Sequence, residues 1–218
     1  MSTSFPVIAI DGTAASGKST FSRALAGRLG YTYVNTGAMY RGAMWHMLNK
    51  GIPLNDATAI AREIETAGVE TSLQNDELAF RIGGVDPLPY VREARVNEGV
   101  SQVSQVDAVR KLLVAQQQQL AQLAPLVMEG RDIGTVVFPE TPYKFYIDAD
   151  PIVRAQRRAA QGENDVIHQR DAQDSQRQNS PLTCATDAVR LDSGLSSVEQ
   201  LVEKALEHLI SRGLKIPN

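Results

Sequence analysis

The chain has 218 residues, of which 43% are hydrophobic and 22% are charged, and its formal net charge is −3. This composition is typical of one globular domain with a sizeable core, and nothing in the near-neutral charge suggests a polybasic surface for nucleic acid or anionic membrane. The single cysteine, Cys184, cannot form an internal disulfide, and long apolar runs are absent from the sequence. We therefore expect a cytoplasmic protein with neither a nucleic-acid partner nor a membrane partner.

The first predicted elements are a strand, a glycine-rich turn and a helix. A β-branched run covers residues 7–10, and an amphipathic segment covers residues 18–29. Between them, residues 12–19 read Gly-Thr-Ala-Ala-Ser-Gly-Lys-Ser, which matches the pattern G-x-x-x-x-G-K-S/T in the context that this motif needs. The sequence therefore predicts a loop whose backbone N–H groups, together with the N-terminus of the following helix, bind phosphate oxygens.

Three residues at the end of this phosphate loop and directly after it have individual expected roles. Lys18 is placed to reach the β and γ phosphates of a nucleotide, and the Ser19 hydroxyl is placed to bind Mg²⁺. Thr20 is a weaker candidate for a nucleotide contact. The residues predicted to bind the nucleotide in and directly after the loop are Gly12, Thr13, Ala14, Ala15, Ser16, Gly17, Lys18, Ser19 and Thr20. The loop predicts nucleotide binding but does not identify the phosphoryl acceptor.

The next predicted elements carry the first candidate residues for an acceptor. A short strand at residues 33–34 is followed by a helix that begins near Thr36, and its first turns carry Tyr40 and Arg41 on one side. Asp56 precedes a further helix at residues 57–67. Residues 69–84 then change to a strand period around a polar Gln-Asn-Asp turn, which predicts an inserted hairpin.

A third strand is predicted at residues 126–128, directly before the polar turn Glu-Gly-Arg-Asp-Ile-Gly-Thr at residues 129–135. Ligands of open α/β sheets bind at the carboxyl ends of strands, so Arg131 and Asp132 are candidates for ligand binding. A structural ion pair between Arg131 and Asp132 is the alternative interpretation.

The remaining elements complete the fold. Strands are predicted at residues 144–147 and 189–191, a helix after Asp150, and a last helix near Ser196 with Glu199 three residues later. The polar segment at residues 158–184 is predicted to be a lid, with Arg170, Asp174 and Arg177 on one helical face. The alternation predicts one α/β domain over residues 1–218, with a five-stranded parallel sheet flanked by helices.

The class of protein follows by exclusion. A signalling GTPase needs D-x-x-G and N-K-x-D sequences, and neither occurs here. Among small-molecule kinases, an alcohol acceptor usually needs a general base, whereas a monophosphate is largely a dianion and needs cations. The 22 basic residues comprise 16 Arg and 6 Lys by count, and arginine suits forked recognition of phosphate. Transfer from ATP to a phosphate acceptor is therefore favoured.

Several runs of residues match those of one family. They lie at residues 10–12, 17–19, 36–41, 101–104, 109–110, 130–139, 154–158, 170–171, 174, 177 and 191–193. With these runs the chain resembles, nearly end to end, the bacterial cytidylate kinases (CMP kinases) of the nucleoside monophosphate kinase group. Thr36 stands where the family more often has Ser, and Glu129 stands where it often has Asp.

The resemblance implies roles for residues outside the loop. Together with Lys18, the arginines Arg41, Arg131, Arg170 and Arg177 are implied to be catalytic, because they surround the acceptor phosphate and the transferring group. The residues implied to bind the acceptor nucleotide are Thr36, Tyr40, Arg41, Ser101, Arg110, Arg131, Asp132, Arg170, Asp174 and Arg177. Of these, Thr36, Ser101, Arg110 and Asp132 are expected to read the cytosine, and Asp174 to lie near the ribose. Arg157 is assigned to the ATP site.

The expected reaction is therefore ATP + CMP giving ADP + CDP, with dCMP as a second acceptor, Mg²⁺ as cofactor, and the protein as a monomer. Residues 63–100 are expected to form an inserted monophosphate-binding subdomain that contains the hairpin. Two alternatives stay open: a kinase for another small acceptor, such as UMP, AMP or shikimate, and a nucleotide-binding regulator without catalytic activity.

Overall fold

The structure is a computed structural model that describes residues 5–160, 180 and 182–216. The strands are β1 (Val7–Gly12), β2 (Thr32–Asn35), β3 (Val69–Gln74), β4 (Glu77–Ile82), β5 (Leu126–Glu129), β6 (Lys144–Asp148) and β7 (Val189–Asp192). The helices are α1 (Lys18–Leu29), α2 (Thr36–Asn49), α3 (Ala57–Thr66), α4 (Ala94–Ser104), α5 (Asp107–Leu120), α6 (Pro151–Ala160) and α7 (Val198–Ser211). A π-helical turn covers Ile133–Val137.

Within the described residues the strands form one sheet in the order β3-β4-β2-β5-β1-β6-β7. The five strands β2, β5, β1, β6 and β7 are parallel to their neighbours, which confirms the predicted parallel core. The hairpin of β3 and β4 is antiparallel and joins the edge of β2 through one residue pair, Tyr33 with Glu77. The hairpin therefore extends the parallel sheet at one edge.

The centre of the sheet is covered on both faces. All six residues of β1 are buried, as are the four of β5, which explains the apolar runs with which both strands begin. Because side chains alternate along a strand, Ile8 and Ile10 face a cluster that includes residues of α1 and α7, whereas Val7 and Ala9 face a second cluster. A third cluster contains residues of the helices α2, α3, α4 and α5 and of the β3–β4 hairpin. In open α/β sheets covered in this way, ligands bind at the carboxyl ends of the strands.

The predicted helix starts are largely confirmed. The Asp56 carboxylate accepts the N–H of Ala59 at 2.9 Å, and α6 begins at Pro151. The last helix begins one residue later than expected: Ser197, not Ser196, is the N-cap, and Gln200, not Glu199, completes the capping box. Both residues at 196 and 197 are serines, so the sequence signal fits either position, and only Ser197 pairs with a long amide side chain three residues later.

The predicted lid lies largely outside the described residues. Arg170, Asp174 and Arg177 all belong to the part of the chain that the structure does not describe. Within the residues described, no helix is both long enough and apolar enough to cross a membrane.

Candidate active site

The phosphate loop has the backbone shape that its sequence predicts. Gly12 has φ of 146°, and a Cβ atom there would lie 1.9 Å from the Ile147 carbonyl oxygen, so only glycine fits. Gly17, with φ of 82°, directly precedes α1. The Lys18 ammonium donates to the Thr13 carbonyl oxygen and lies 3.5 Å from the Ser16 hydroxyl oxygen. The loop thus curls around a buried lysine.

The loop is supported from β6 and α6. The Thr13 hydroxyl donates to the Asp148 carboxylate at 2.6 Å. Arg154, which is buried, donates to the Ala14 carbonyl oxygen at 3.2 Å and to the Ala149 carbonyl oxygen at 3.1 Å. These bonds fix the outer side of the loop, so that its inner side keeps the shape that a phosphate needs.

A second support comes from the segment after β7. The Ser193 hydroxyl donates to the Ser16 carbonyl oxygen at 2.6 Å. Arg157 donates to both the hydroxyl and the carbonyl oxygen of Ser193, at 2.9 and 2.7 Å. A Cβ on Gly17 would lie 3.5 Å from the Arg157 guanidinium. Arg157, which the resemblance assigns to the ATP site, therefore lies against the loop.

The first turn of α1 contacts the end of β5. Among the described residues, no side chain caps the N-terminus of α1. The exposed Ser19 donates its hydroxyl hydrogen to Glu129 Oε1 at 2.7 Å, and Tyr33 donates to the same oxygen at 2.6 Å. Burial, with the Glu129 charge as a second cause, raises the pKa of Tyr33. Thr20 is exposed.

The other oxygen of Glu129 is a candidate ligand for a cation. Glu129 is 4% exposed, and its Oε2 has no hydrogen-bond partner among the residues that the structure describes. A buried carboxylate oxygen without a partner is costly, which indicates a missing ligand. Mg²⁺ prefers hard oxygen ligands, and its sites usually combine one or two protein groups with substrate phosphates. Ser19 and Glu129 could therefore hold Mg²⁺ beside the loop.

The start of α2 lies next to this carboxylate. Asn35 caps the helix by accepting the N–H of Ala38 at 3.0 Å. The buried Thr36 hydroxyl donates to the Glu129 carbonyl oxygen at 2.8 Å. A Cβ on Gly37 would lie 3.1 Å from Arg41 Nη1, so the Arg41 guanidinium lies over the first turn of the helix.

The turn after β5 is tied to the end of β1. The two Asp11 carboxylate oxygens accept the N–H groups of Ile133 and Gly134, each at 2.8 Å. Burial raises the pKa of Asp11 to about 6, although these two backbone bonds act in the opposite direction. Arg131 lies near Tyr146 on β6: burial raises the pKa of Tyr146 and the Arg131 charge opposes that shift. Asp11 thus holds the turn that carries Arg131 and Asp132.

A buried ion pair joins this turn to α5. Arg110 pairs with Asp132, donates to the Ser104 carbonyl oxygen at 3.3 Å, and lies 5.4 Å from the centre of the Tyr40 ring. Ser104 in turn donates to the carbonyl oxygen of the buried Ser101 at 3.1 Å. The residues expected to read a base are therefore gathered from α2, α4, α5 and the turn after β5.

Sequence reasoning assigned no role in the site to four residues that hold it together: Glu129, Asp11, Arg154 and Ser193. Glu129 carried a signal, since it is an acidic residue that ends a buried strand before a glycine. Asp11 carried a similar signal at the end of β1. Arg154 and Ser193 lie in the runs at residues 154–158 and 191–193 that match the family. They act through backbone carbonyl oxygens of the loop, and the runs alone do not reveal those bonds.

Known proteins resemble this chain over most of its length. The family model for cytidylate kinase matches residues 8–211. A cytidylate kinase of Rhodococcus jostii (strain RHA1) is 43% identical over 220 residues, which cover 94% of this chain and 95% of that protein. One of Streptococcus sanguinis (strain SK36) is 39% identical over 221 residues, covering 94% and 98%. A bifunctional pantoate ligase/cytidylate kinase of Synechococcus sp. (strain CC9311) is 40% identical over 220 residues, which cover 95% of this chain and 44% of that relative.

These matches confirm the resemblance derived from the sequence motifs. The family model covers the phosphate loop, the start of α2, the Arg110 and Asp132 pair and the strands that bring them together. The chain belongs to the cytidylate kinase family.

Proposed function

We propose that the chain transfers the γ-phosphoryl group of ATP directly to CMP, giving ADP and CDP, with dCMP as a second acceptor. The observation that carries this proposal is the position of Glu129 between two half-sites. Its carboxylate is bonded to Ser19, beside the phosphate loop, and its carbonyl oxygen is bonded to Thr36, at the start of α2. This arrangement supports end-to-end binding of one nucleotide on the loop and a second one at α2.

The donor half-site is the loop. Its backbone N–H groups and the N-terminus of α1 bind phosphate oxygens, and Lys18 adds a positive charge next to them. When bound, Mg²⁺ neutralises charge on the phosphate oxygens and helps to align them. Ser19 and Glu129 are the residues that would hold it, because they offer oxygen atoms directly beside the loop.

The acceptor half-site supplies cations and a base-reading pair. Arg41 and Arg131 bind the monophosphate, since guanidinium groups match phosphate oxygens in pairs. Cytosine offers an amino donor at N4 and acceptors at N3 and O2, which the Asp132 carboxylate and the Arg110 guanidinium complement. Because this pair is buried, a base that leaves one of its groups without a partner is strongly disfavoured.

Catalysis by alignment and charge neutralisation accounts for the reaction without a general base. The attacking oxygen of the monophosphate is already ionised near neutral pH. The buried Asp11 is occupied by two backbone N–H groups and acts on the turn, not on substrate. Arg170 and Arg177, which lie outside the described residues, keep their assigned role of neutralising the transferring group, and Asp174 its place near the ribose.

The test is a panel of acceptors with detection of ADP: CMP, dCMP, UMP, AMP and shikimate. CMP should react fastest, and Lys18→Ala should lower its turnover by orders of magnitude, on the order of 10² or more, while the protein stays folded. Lys204→Ala, at an exposed position of α7, is the matched control and should leave the rate unchanged.

Each alternative has its own outcome in the same assay. Negligible turnover of CMP beside a good rate with UMP, AMP or shikimate would overturn the choice of acceptor. Tight ATP binding without turnover of any acceptor would indicate a regulator. A near-normal rate in Lys18→Ala would show that the loop does not bind the donor.

A further inference from the structure

Tyr33 lies on β2 and contacts Glu129, the residue that links the phosphate loop to the acceptor half-site. Its hydroxyl donates to Glu129 Oε1 at 2.6 Å and accepts a hydrogen bond from the Asn35 amide at 3.3 Å. The ring is buried, and the Arg23 guanidinium of α1 lies 4.3 Å from its centre. Tyr33 is therefore fixed at both its ring and its hydroxyl group.

Two donors converge on the same oxygen of Glu129. Ser19 bonds Oε1 at 2.7 Å and Tyr33 bonds it at 2.6 Å, whereas Oε2 has no partner among the described residues. This asymmetry sets the rotation of the carboxylate, because turning it would break both bonds at once. Oε2 is then the oxygen that stays available for a ligand.

The hydrogen of Ser19 is used by the same contact. A serine hydroxyl has one hydrogen and two lone pairs, and a cation binds only a lone pair. While Glu129 Oε1 accepts that hydrogen, the lone pairs of Ser19 point elsewhere. The direction of the Ser19 lone pairs therefore depends on where Glu129 is held, and Tyr33 holds it.

We propose that Tyr33 is a positioning residue which, acting through Glu129, orients the Ser19 hydroxyl and Glu129 Oε2 for the Mg²⁺ of the bound nucleotide. This inference rests on the proposed function, since it concerns the metal of the donor half-site. Groups that orient metal ligands typically change metal affinity by about 10- to 100-fold when they are removed.

The test compares Tyr33→Phe with Tyr31→Phe. Both variants lose one phenolic hydroxyl. Tyr31, however, packs against the cluster that includes α1 and α7, and within the described part of the chain the side chains bonded to Glu129 are those of Ser19, Tyr33 and Thr36. ATP affinity is measured by calorimetry with Mg²⁺ and again with EDTA. Tyr33→Phe should weaken binding about tenfold with Mg²⁺ and leave it unchanged with EDTA. Tyr31→Phe should change neither value.

A double-mutant cycle tests whether Tyr33 acts through Glu129. Glu129→Gln keeps the shape of the side chain and removes its charge. In that background Tyr33→Phe should cause little further loss of Mg²⁺-dependent ATP affinity, because the two residues act on one site. The Mg²⁺ concentration for half-maximal rate should rise in Tyr33→Phe while KM for CMP stays constant.

The inference is overturned if Tyr33→Phe binds ATP with Mg²⁺ as tightly as Tyr31→Phe, if it loses as much affinity in EDTA, or if its effect adds fully to that of Glu129→Gln. In those cases the proposed function stands when the wild-type protein phosphorylates CMP. Absence of any Mg²⁺ effect on ATP binding by the wild-type protein would instead contradict the proposed metal site, and the inference with it.

Discussion

At the scale of single residues, Gly12 is the position that the fold constrains most directly. The missing side chain lets the loop pass the Ile147 carbonyl oxygen, to which a Cβ would approach within 1.9 Å. Gly12→Ala should therefore destabilise the protein by roughly 3 kcal/mol or more and abolish ATP binding, because the loop must move. Thermal unfolding and ATP titration measure the two effects.

Gly30→Ala is the matched control for this prediction. Gly30 also has a positive φ, of 66°, but a Cβ there would meet nothing within 4 Å. Gly30→Ala should lower the free energy of unfolding by the backbone strain alone, about 1 to 2 kcal/mol, and leave ATP affinity intact. Equal losses in both variants would mean that the contact with Ile147 does not shape the loop.

Asp11 should make stability depend on pH. Burial is the main cause that raises the pKa of Asp11 to about 6 in the folded protein. In the unfolded chain the carboxyl has its ordinary pKa of 3.8. The folded state therefore holds the proton more tightly, so Asp11 contributes stability below about pH 4 that is lost as pH rises through about 6. The full loss is about 3 kcal/mol.

The measurement is the free energy of unfolding of the wild-type protein and of Asp11→Asn between pH 4 and pH 7. The value for the wild type minus that for Asp11→Asn should fall as pH rises across this range, because the other titratable groups are common to both proteins and only the wild type has one at position 11. A difference that stays flat, or rises, would contradict the assigned environment of Asp11.

At the scale of elements, the Arg110 and Asp132 pair joins α5 to the turn after β5. Both residues are buried. Asp132→Leu alone should lower the free energy of unfolding by roughly 3 to 5 kcal/mol, since it leaves the Arg110 charge buried without its partner. The double variant Arg110→Met/Asp132→Leu should recover most of that stability, because apolar groups of similar size can replace a buried ion pair.

The double variant should regain stability without regaining recognition of the acceptor. In the double variant KM for CMP should stay raised while KM for ATP stays close to the wild-type value, and steady-state kinetics measure both. If the double variant instead used CMP normally, the pair would be structural only, and the reading of cytosine would belong to other residues.

The sequence predicts the strands, helices and turns better than it predicts which of them contact each other. The strand–loop–helix order, the five parallel strands and the hairpin all follow from local patterns. The hairpin turn is local too: Asn75 and Asp76 both have positive φ, which the short turn between β3 and β4 requires. The pairing of Glu77 with Tyr33 is not local, because neither residue carries a signal for the other.

The same distinction applies to the site. The phosphate-loop motif identifies Lys18 and Ser19, and the family resemblance implies the roles of Thr36, Arg41, Arg110 and Asp132. The structure brings all six to neighbouring strand ends and helices. The direct pairing of Arg110 with Asp132 and the contact of Glu129 with Ser19 are long-range and depend on the register of the sheet. The physical reason is that a motif reflects the chemistry of its ligand and is local in the sequence. The residues that hold the ligand-binding groups in place depend instead on contacts made by the folded chain.

At the scale of the whole molecule, a chain of net charge −3 concentrates cations where the strands end. Lys18 comes from the loop after β1, Arg41 from α2, and Arg131 from the turn after β5. The parallel arrangement of β1, β2 and β5 places these three segments at one edge of the sheet. Phosphate groups of two nucleotides can be neutralised there although the molecule as a whole is slightly acidic.

The central claim is that donor and acceptor are held end to end, by the phosphate loop and by arginines from other segments. Its most direct test is the affinity for one molecule that joins adenosine to cytidine through a polyphosphate chain, compared with ATP. The joined molecule should bind roughly 10² times more tightly than ATP or better, and both Lys18→Ala and Arg41→Ala should weaken it. Affinity equal to that of ATP, and indifference to Arg41→Ala, would contradict the account.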